Sequence, residues 1–348
     1  MLTWAKGQVY SVVIVVLVTT GLSALGQNLR VSTFNVRWYG LKSTTDAVSD
    51  YQRDKQLRDT LRNELYESDV IVFEEIVDVA RLERYVIQGK MQCLTYYNSS
   101  ANHQHVVLCH KSKYRFEKAN GDKNYIIEEV TEGTKKGRPA LYGLLRDSHS
   151  GEALAYVVGV HLKAFPEETA LRLRQSEAIA KRLRQLSKNI PVIITGDFNT
   201  YERDKTSWSK DDNYLIGDVF DKYRLGLYEV RNYHPYTFLS SSGQNKFDRF
   251  WVSDDVEVVE DVSVSDLAGN RPLLTKEIKW FNDNVSDHCL VSVTFGLLRT
   301  TGRTEWLCGD WLCARRCKAS VPMQSNLPNH QDGEGDQNCH LENLQGNA

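Results

Sequence analysis

The sequence predicts an α/β protein, a sandwich of two mixed β-sheets with helices packed outside. Three observations carry that expectation. Strand-like runs of Val, Ile and Phe alternate with helix-like stretches early in the chain. Strands then follow one another with no helix between them, which a barrel of repeating units would not give. The composition, 348 residues with 41% hydrophobic and 25% charged, is ample for one large core or two modest ones.

Leu29–Val36 reads as a strand and Tyr51–Glu67 as a helix, with Leu57, Leu61 and Leu65 at i, i+4, i+8 forming its buried stripe. Val70–Phe73 is a strand and Val79–Ile87 a helix; Met91–Tyr97 and His105–Cys109 resemble a hairpin, and more strands run up to Val160. Pro166, Glu167 and Glu168 open a helix reaching to Ser187, acidic first and basic later as the macrodipole favours. Pro191 precedes the β-branched run Val192–Ile194, a buried strand expected to end where Gly196 turns the backbone. Past Phe295 the pattern dissolves into Gly, Asn, Asp, Gln and Pro. The domain therefore spans 27–297, and 298–348 is expected to be a poorly ordered tail.

The N-terminus differs in kind. Lys6, the apolar run Val9–Val18 and small residues up to Gly26 fit a secretory signal peptide, residues 1–26, cleaved after Gly26. An uncleaved anchor is the alternative; otherwise no membrane span is expected. Export makes the seven cysteines potential disulfide partners. Cys93 and Cys109 flank the hairpin and are either bridged or two buried thiols. Four more, Cys308, Cys313, Cys317 and Cys339, lie in the tail with spacings that miss a structural zinc site, and Cys289 is expected to stay a thiol. Of two glycosylation sequons, Asn98 suits export, whereas Asn284 stands too close to the candidate site. The formal net charge of −2 supplies no global field toward nucleic acid, so any such attraction is local.

Chemistry concentrates at strand ends. Asp197 and Asn199 in Thr195-Gly196-Asp197-Phe198-Asn199, Asn35 in Thr33–Arg37, Glu74 and Glu75 in Val70–Ile76, His161 after Val158–Val160, Asp248 in Phe247–Val252, and Asp287-His288 all sit at or beside apolar runs. One such pentapeptide is also what an ordinary Asx turn gives; the set, in this order, is not explained by solvated strand faces. It resembles the endonuclease/exonuclease/phosphatase superfamily of metal-dependent phosphoesterases over residues 29–296. The resemblance implies a deoxyribonuclease I-like four-layer sandwich and a phosphodiester hydrolase.

It also implies roles. Glu75, Asn35 and Asp287 would form an oxygen-rich shell for Mg²⁺, with Mn²⁺ or Ca²⁺ as alternatives. His288, oriented by Asp248, would be the base that activates water for in-line attack. His161 would protonate the leaving oxygen or bind the phosphate, and Asp197 and Asn199 would orient the nucleophile and stabilise developing charge. Glu74 is expected to be solvated; the family commonly has Gln there. Arg138, with Lys135, Lys136 and Lys163, and further along Arg172 and Arg174, would make a basic rim for a nucleic-acid backbone. The leading reading is a secreted deoxyribonuclease-like endonuclease acting on DNA, with no stable protein partner. A sphingomyelinase-like phospholipid or sugar-phosphate phosphoesterase is a second reading, with Trp208, Trp306 and Trp311 as candidate membrane anchors. An inactive binding protein on the same fold is the third.

Overall fold

The computed structural model describes residues 27–297 apart from 42–48, 97–102, 120, 135–136, 202–210, 241–242 and 266–273. The expected leader, the tail with its cysteines and tryptophans, Asn98, Trp208, Lys135 and Lys136 lie outside the described residues. The described strands are β1 Gln27–Tyr39, β2 Val70–Ile76, β3 Gln92–Leu94, β4 His105–His110, β5 Tyr114–Glu117, β6 Ile126–Ile127, β7 Ala140–Asp147 and β8 Ala153–His161. They continue with β9 Val192–Asp197, β10 Leu227–Glu229, β11 Phe238–Ser240, β12 Gly243–Asn245, β13 Asp248–Ser253, β14 Val256–Ser265 and β15 Leu290–Leu297.

One six-stranded sheet runs β14-β15-β1-β2-β4-β3; a second runs β10-β13-β9-β8-β7-β5, with β6 also paired to β7. Each sheet contains one parallel pair, β1 with β2 and β8 with β9, beside antiparallel neighbours. Strands alternate their side chains between faces, so each sheet has two faces to cover. Val31, Val72 and Leu108 of the first sheet meet Leu141, Val157 and Phe250 of the second in the central core. The first sheet's outer face packs Ile71 and Phe73 against Leu57 and Leu65 of the helices Asp50–Thr60 and Glu64–Glu67 and against Leu61 between them. The second sheet's outer face packs Val158, Ile194 and Trp251 against Ile179, Leu183, Ile216 and Phe220 of the helices Thr169–Leu183 and Asp212–Lys222. Helices, sheet, sheet, helices: the expected four layers are present.

Local departures have physical reasons. The expected helix over Tyr51–Glu67 is broken after Thr60 and restarts at Glu64, yet Leu57, Leu61 and Leu65 all stay buried, because the break leaves them facing the same sheet. Its start is fixed by a reciprocal cap: the Gln52 amide donates to the Ser49 side chain and the Ser49 amide to Gln52 Oε1. Gly196 does not turn the chain. The strand continues to Asp197, and a Cβ at Gly196 would stand 2.0 Å from the Val160 carbonyl oxygen, so glycine is what lets β9 approach β8. The turn comes at Asn199, whose φ is 48°. Cys93 and Cys109 are register partners of β3 and β4 and form a disulfide; Cys289 is buried.

Candidate active site

The polar residues singled out at strand ends converge on one edge of the sandwich. His161 and Asp248 are the two register partners of Asp197 across β8, β9 and β13. From the facing sheet, Asn35 Nδ2 donates to Asp197 Oδ2 (3.0 Å) and to Glu75 Oε1 (3.2 Å), stitching the two sheets together at this edge. The segment entering β15 is tied in by Ser286, whose hydroxyl donates to the Asn35 carbonyl (2.6 Å) and accepts from the His288 amide (3.1 Å). Thr237, which carries no motif, accepts the amides of Phe247 and Asp248 on its hydroxyl, both at 3.0 Å, and fixes where Asp248 begins its strand.

The second sheet's side of this edge is dry. His288 Nδ1 lies 2.9 Å from Asp248 Oδ2, and its Nε2 lies 3.7 Å from Asp197 Oδ2. Burial alone would lower this imidazole's pKa, but the Asp248 and Asp197 carboxylates outweigh it and hold His288 well above the usual histidine value. His161 goes the other way. Its Nε2 stands 3.5 Å from Asp197 Oδ2 and 3.7 Å from Glu75 Oε1. Burial, reinforced by the cations of Arg138 and His288, nevertheless pushes it well below the usual value. His161 is therefore a neutral ring near carboxylates rather than half of an ion pair. Burial, with Asp248 adding to it and His288 opposing, raises the Asp197 carboxyl to about 7. The Asn199 amide donates to Asp197 Oδ1 (2.8 Å), and Asn199 Nδ2 donates to the Leu162 carbonyl (3.1 Å). A two-residue Asx link thus orients the carboxylate.

The first sheet's side is wetter and reverses one expectation. Glu74, expected in solvent, is completely buried; it accepts from Thr33 Oγ1 at 2.7 Å, and burial, with Asp248 adding to it, raises its pKa well above the carboxylate range. Glu75 is the residue that reaches the cleft. It adopts a left-handed φ of 59°, which upsets strand alternation and turns its side chain outward. Its Oε2 accepts the Trp38 amide (3.1 Å). Asp287 is 22% exposed and faces Arg37 Nε at 3.6 Å, while Asn35 Oδ1 accepts the Arg37 amide.

Among the described residues no group of three or more His, Cys, Asp or Glu is placed to hold a metal. The oxygens with solvent beside them are the Glu75 and Asp287 carboxylates; Asn35 is fully buried, its Oδ1 accepting the Arg37 amide and its Nδ2 facing Glu75 and Asp197. Those carboxylates fit a hard cation that keeps most of its water, the habit of Mg²⁺. Glu75 would hold it, with Asp287 nearby; Asn35, expected as a ligand, instead positions Glu75 and Asp197 by hydrogen bonds.

The expected basic rim is redistributed. Arg138 is not on the surface of its loop: its guanidinium donates to Gln104 Oε1 (2.5 Å) and to the His161 and Leu162 carbonyls (3.4 and 3.3 Å). Burial lowers its pKa, and the Glu75 and Asp197 carboxylates act against that, so Arg138 belongs to the wall of the centre. Gln104 has no sequence signal that could have found it. Arg172 is fully buried, ion-paired with Asp212 and donating to the Lys163 and Phe165 carbonyls (2.9 and 2.6 Å). It is a brace for the His161–Phe165 segment rather than a rim residue. Arg174 is exposed beside Gly133. Lys163 is half-buried, 3.8 Å from Glu168 and 4.9 Å over the Phe165 ring.

Residues 32–288 match the sequence profile described as the Endonuclease/Exonuclease/phosphatase family. No curated protein matches the chain. Among solved structures, D. rerio TDP2 complexed with single strand DNA product is 17% identical with a TM-score of 0.54, covering 78% of this chain and 99% of that one. The Bacteroides vulgatus endonuclease/exonuclease/phosphatase is 14% identical (TM-score 0.54; 78% and 99%). The human Nocturnin catalytic domain with bound sulfate is 18% identical (TM-score 0.52; 77% and 94%). These likenesses show a shared fold. The profile match over most of the chain shows more: this protein belongs to the endonuclease/exonuclease/phosphatase family of metal-dependent phosphoesterases and nucleases.

Proposed function

We propose that this chain is a secreted, Mg²⁺-dependent endonuclease that hydrolyses DNA phosphodiesters. The observation that carries the hydrolytic reading is the buried Asp248–His288 pair at 2.9 Å, with Asp197 3.7 Å beyond it on the cleft side. Magnesium held at Glu75 would offset charge on the phosphoryl oxygens; the remaining work falls to the chain. Because Asp248 and Asp197 keep His288 protonated near neutrality, the base role that the sequence suggested for His288 passes to Asp197. Its carboxyl titrates at about 7, close to the pH at which a general base is most effective. Asn199 holds that carboxylate by its amide; Asp197 takes the proton of the attacking water, and as the bond from phosphorus to the leaving oxygen breaks, that oxygen takes a proton from the His288 imidazolium. His288, as an imidazolium, places positive charge where the phosphoryl oxygens become more negative. Neutral His161 flanks Asp197 from the neighbouring strand, with the Arg138 guanidinium bonded to the His161 carbonyl.

Nucleic acid is favoured over lipid by two exposed rings, one of them lying under a cation. Trp38 is 42% exposed next to Arg37 on the first sheet's lip, and Phe165 is 56% exposed under Lys163 on the second's. Aromatic faces beside positive charge stack bases and track phosphates, whereas membrane docking calls for a contiguous apolar patch. Among the described residues no helix is long and apolar enough to cross a membrane.

The purified protein is to be incubated with plasmid DNA and with sphingomyelin, each with Mg²⁺ or EDTA. Nicked or linear plasmid only with Mg²⁺, and intact lipid, is the expected result; lipid cleavage with intact plasmid overturns the DNA assignment. Secretion is tested separately, by sequencing the N-terminus of protein recovered from culture medium. A start at Gln27 is expected, and retention in the cells refutes it.

A further inference from the structure

The pairing of β1 with β2 breaks beside the cleft. Asn35 and Tyr39 are register partners of Glu74 and Ile76, so three residues of β1, 36–38, stand opposite one residue of β2, Glu75. Such a bulge interrupts the ladder and leaves backbone groups in need of other partners. Arg37 and Trp38 within it have left-handed φ values of 42° and 51°, a conformation that such residues keep only when their surroundings fix it. The bulge also serves the wet lip: the Trp38 amide reaches Glu75 Oε2, and the Arg37 amide reaches Asn35 Oδ1.

One side chain from outside the sheet supplies partners to this turn. Arg53, on the helix Asp50–Thr60, places Nη2 2.7 Å from the Val36 carbonyl oxygen and 2.5 Å from that of Arg37. The same nitrogen lies 3.4 Å from the Val285 carbonyl oxygen, 232 residues along the chain from Arg53. Val285 immediately precedes Ser286, whose hydroxyl takes the neighbouring carbonyl of β1, that of Asn35, and Asp287 comes next. The guanidinium is itself held in place. It lies 5.8 Å over the Tyr39 ring, the Tyr39 hydroxyl donates to buried Asp54 (2.5 Å), and Arg81 donates to both Asp54 oxygens (2.8 and 2.6 Å). Hydrogen bonds from a guanidinium are roughly twice as strong as neutral ones.

We infer that Arg53 is a positioning residue for the cation-binding lip. It touches neither substrate nor cation. It holds residues 36–38 in the backbone arrangement that aims the Trp38 amide at Glu75, and it ties that turn to the segment carrying Asp287. Without it the left-handed turn relaxes, Glu75 loses a hydrogen bond, and a cation must restore the turn as it binds, which weakens binding. His288, Asp248 and Asp197 are reached by none of its bonds, so the proton-transfer groups keep their arrangement. The inference rests on the assignment of the cation to Glu75.

Mn²⁺ binding to the full chain, read from the loss of the free ion's electron paramagnetic resonance signal, probes the lip without substrate. Displacement by Mg²⁺ gives the affinity for the smaller ion. Arg53→Met should weaken both about tenfold, the equivalent of one charge-assisted hydrogen bond. At saturating Mg²⁺ its plasmid cleavage should still rise with pH through about 7. Arg30→Met is the control for general destabilisation: Arg30 pairs with Glu64 (2.9 Å) at the far end of β1, so its loss should lower the urea midpoint and leave Mn²⁺ affinity unchanged. If Arg53→Met does not fold, Arg53→Lys is judged by the same measurement. It keeps a cation on a shorter stem without the planar fork, and a weakening of about threefold is expected. Affinity within twofold of wild type in the folded Arg53 variant, loss of the pH limb, or equal weakening by Arg30→Met overturns the positioning role. Glu75→Gln separates that failure from failure of the metal assignment. A wild type that binds no Mn²⁺, or a Glu75→Gln chain that binds it as tightly as wild type, moves the cation off this lip, and the role of Arg53 falls with it.

Discussion

The two lips of the catalytic edge are built differently. The first sheet contributes the partly wet Glu75 carboxylate, with Asp287 across Arg37 and buried Asn35 holding Glu75 by its amide nitrogen, and left-handed backbone at Arg37, Trp38 and Glu75. The second contributes His161, Asp197 and Asp248, met by His288, all nearly buried and cross-linked by hydrogen bonds. A hydrated cation needs room and hard oxygens, so its side tolerates solvent and concentrates backbone strain. Proton transfer needs pKa values pushed away from their solution values, so its side excludes water. On the proposed mechanism, the contrast between the lips is a division of labour.

Substitutions on the dry lip should have the largest effects. His288→Ala should lower kcat by about 10²–10⁴-fold with an unchanged fold by circular dichroism; a rate within threefold of wild type removes His288 from the mechanism. Glu75→Gln should fall short of that, and raising Mg²⁺ should recover much of the loss, because one ligand weakens while others and water remain. An unaltered Mg²⁺ dependence would place the cation elsewhere. A pH titration sharpens the comparison further. Activity should rise with pH through about 7 as Asp197 ionises, and Asp197→Asn should erase that limb along with most of the rate. The stability contribution runs oppositely. A carboxyl whose folded pKa lies above its unfolded value binds protons more tightly when folded, so this contribution is full below about 4 and is lost as pH rises through about 7. Chemical denaturation of wild type and Asp197→Asn between those limits reads this sign. The smallest effect on catalysis belongs to Cys93→Ser with Cys109→Ser. Their sequence separation of 16 predicts a loss of about 3 kcal/mol in unfolding free energy and an unchanged kcat at low temperature.

Much of this was legible in the sequence, for a physical reason. Strand ends are where apolar periodicity stops, so Asn35, His161, Asp197, Asp248 and His288 stood out as polar residues against Val and Ile, and the structure brings them together. What failed to show was whatever depended on backbone sign or on distant partners. The sequence placed Glu74 in solvent, but it is buried, and the positive φ at Glu75 is what turns Glu75 rather than Glu74 toward the cleft. Arg172 looked like a surface cation because nothing local announces Asp212, forty residues away. Gln104 and Thr237 carry no motif; only the fold reveals that they hold Arg138 and Asp248. The edge strand β14, with Glu257, Glu260 and Asp261 exposed, lacks the apolar run that marked the buried strands.

One pairing has a consequence in time rather than in space. The strand β1 that carries Asn35 lies between β2 and β15, and Ser32 meets Ser292 across 260 residues of sequence at 2.8 Å. His288 enters just before β15. A ribosome making this chain therefore produces Asn35 early and His288 near the end, and the reaction centre has no complete set of groups until nearly the whole domain has emerged. A nascent fragment ending before residue 286 should bind no better than any partly folded polypeptide and cut nothing, so synthesis itself withholds the activity until the finished molecule has left.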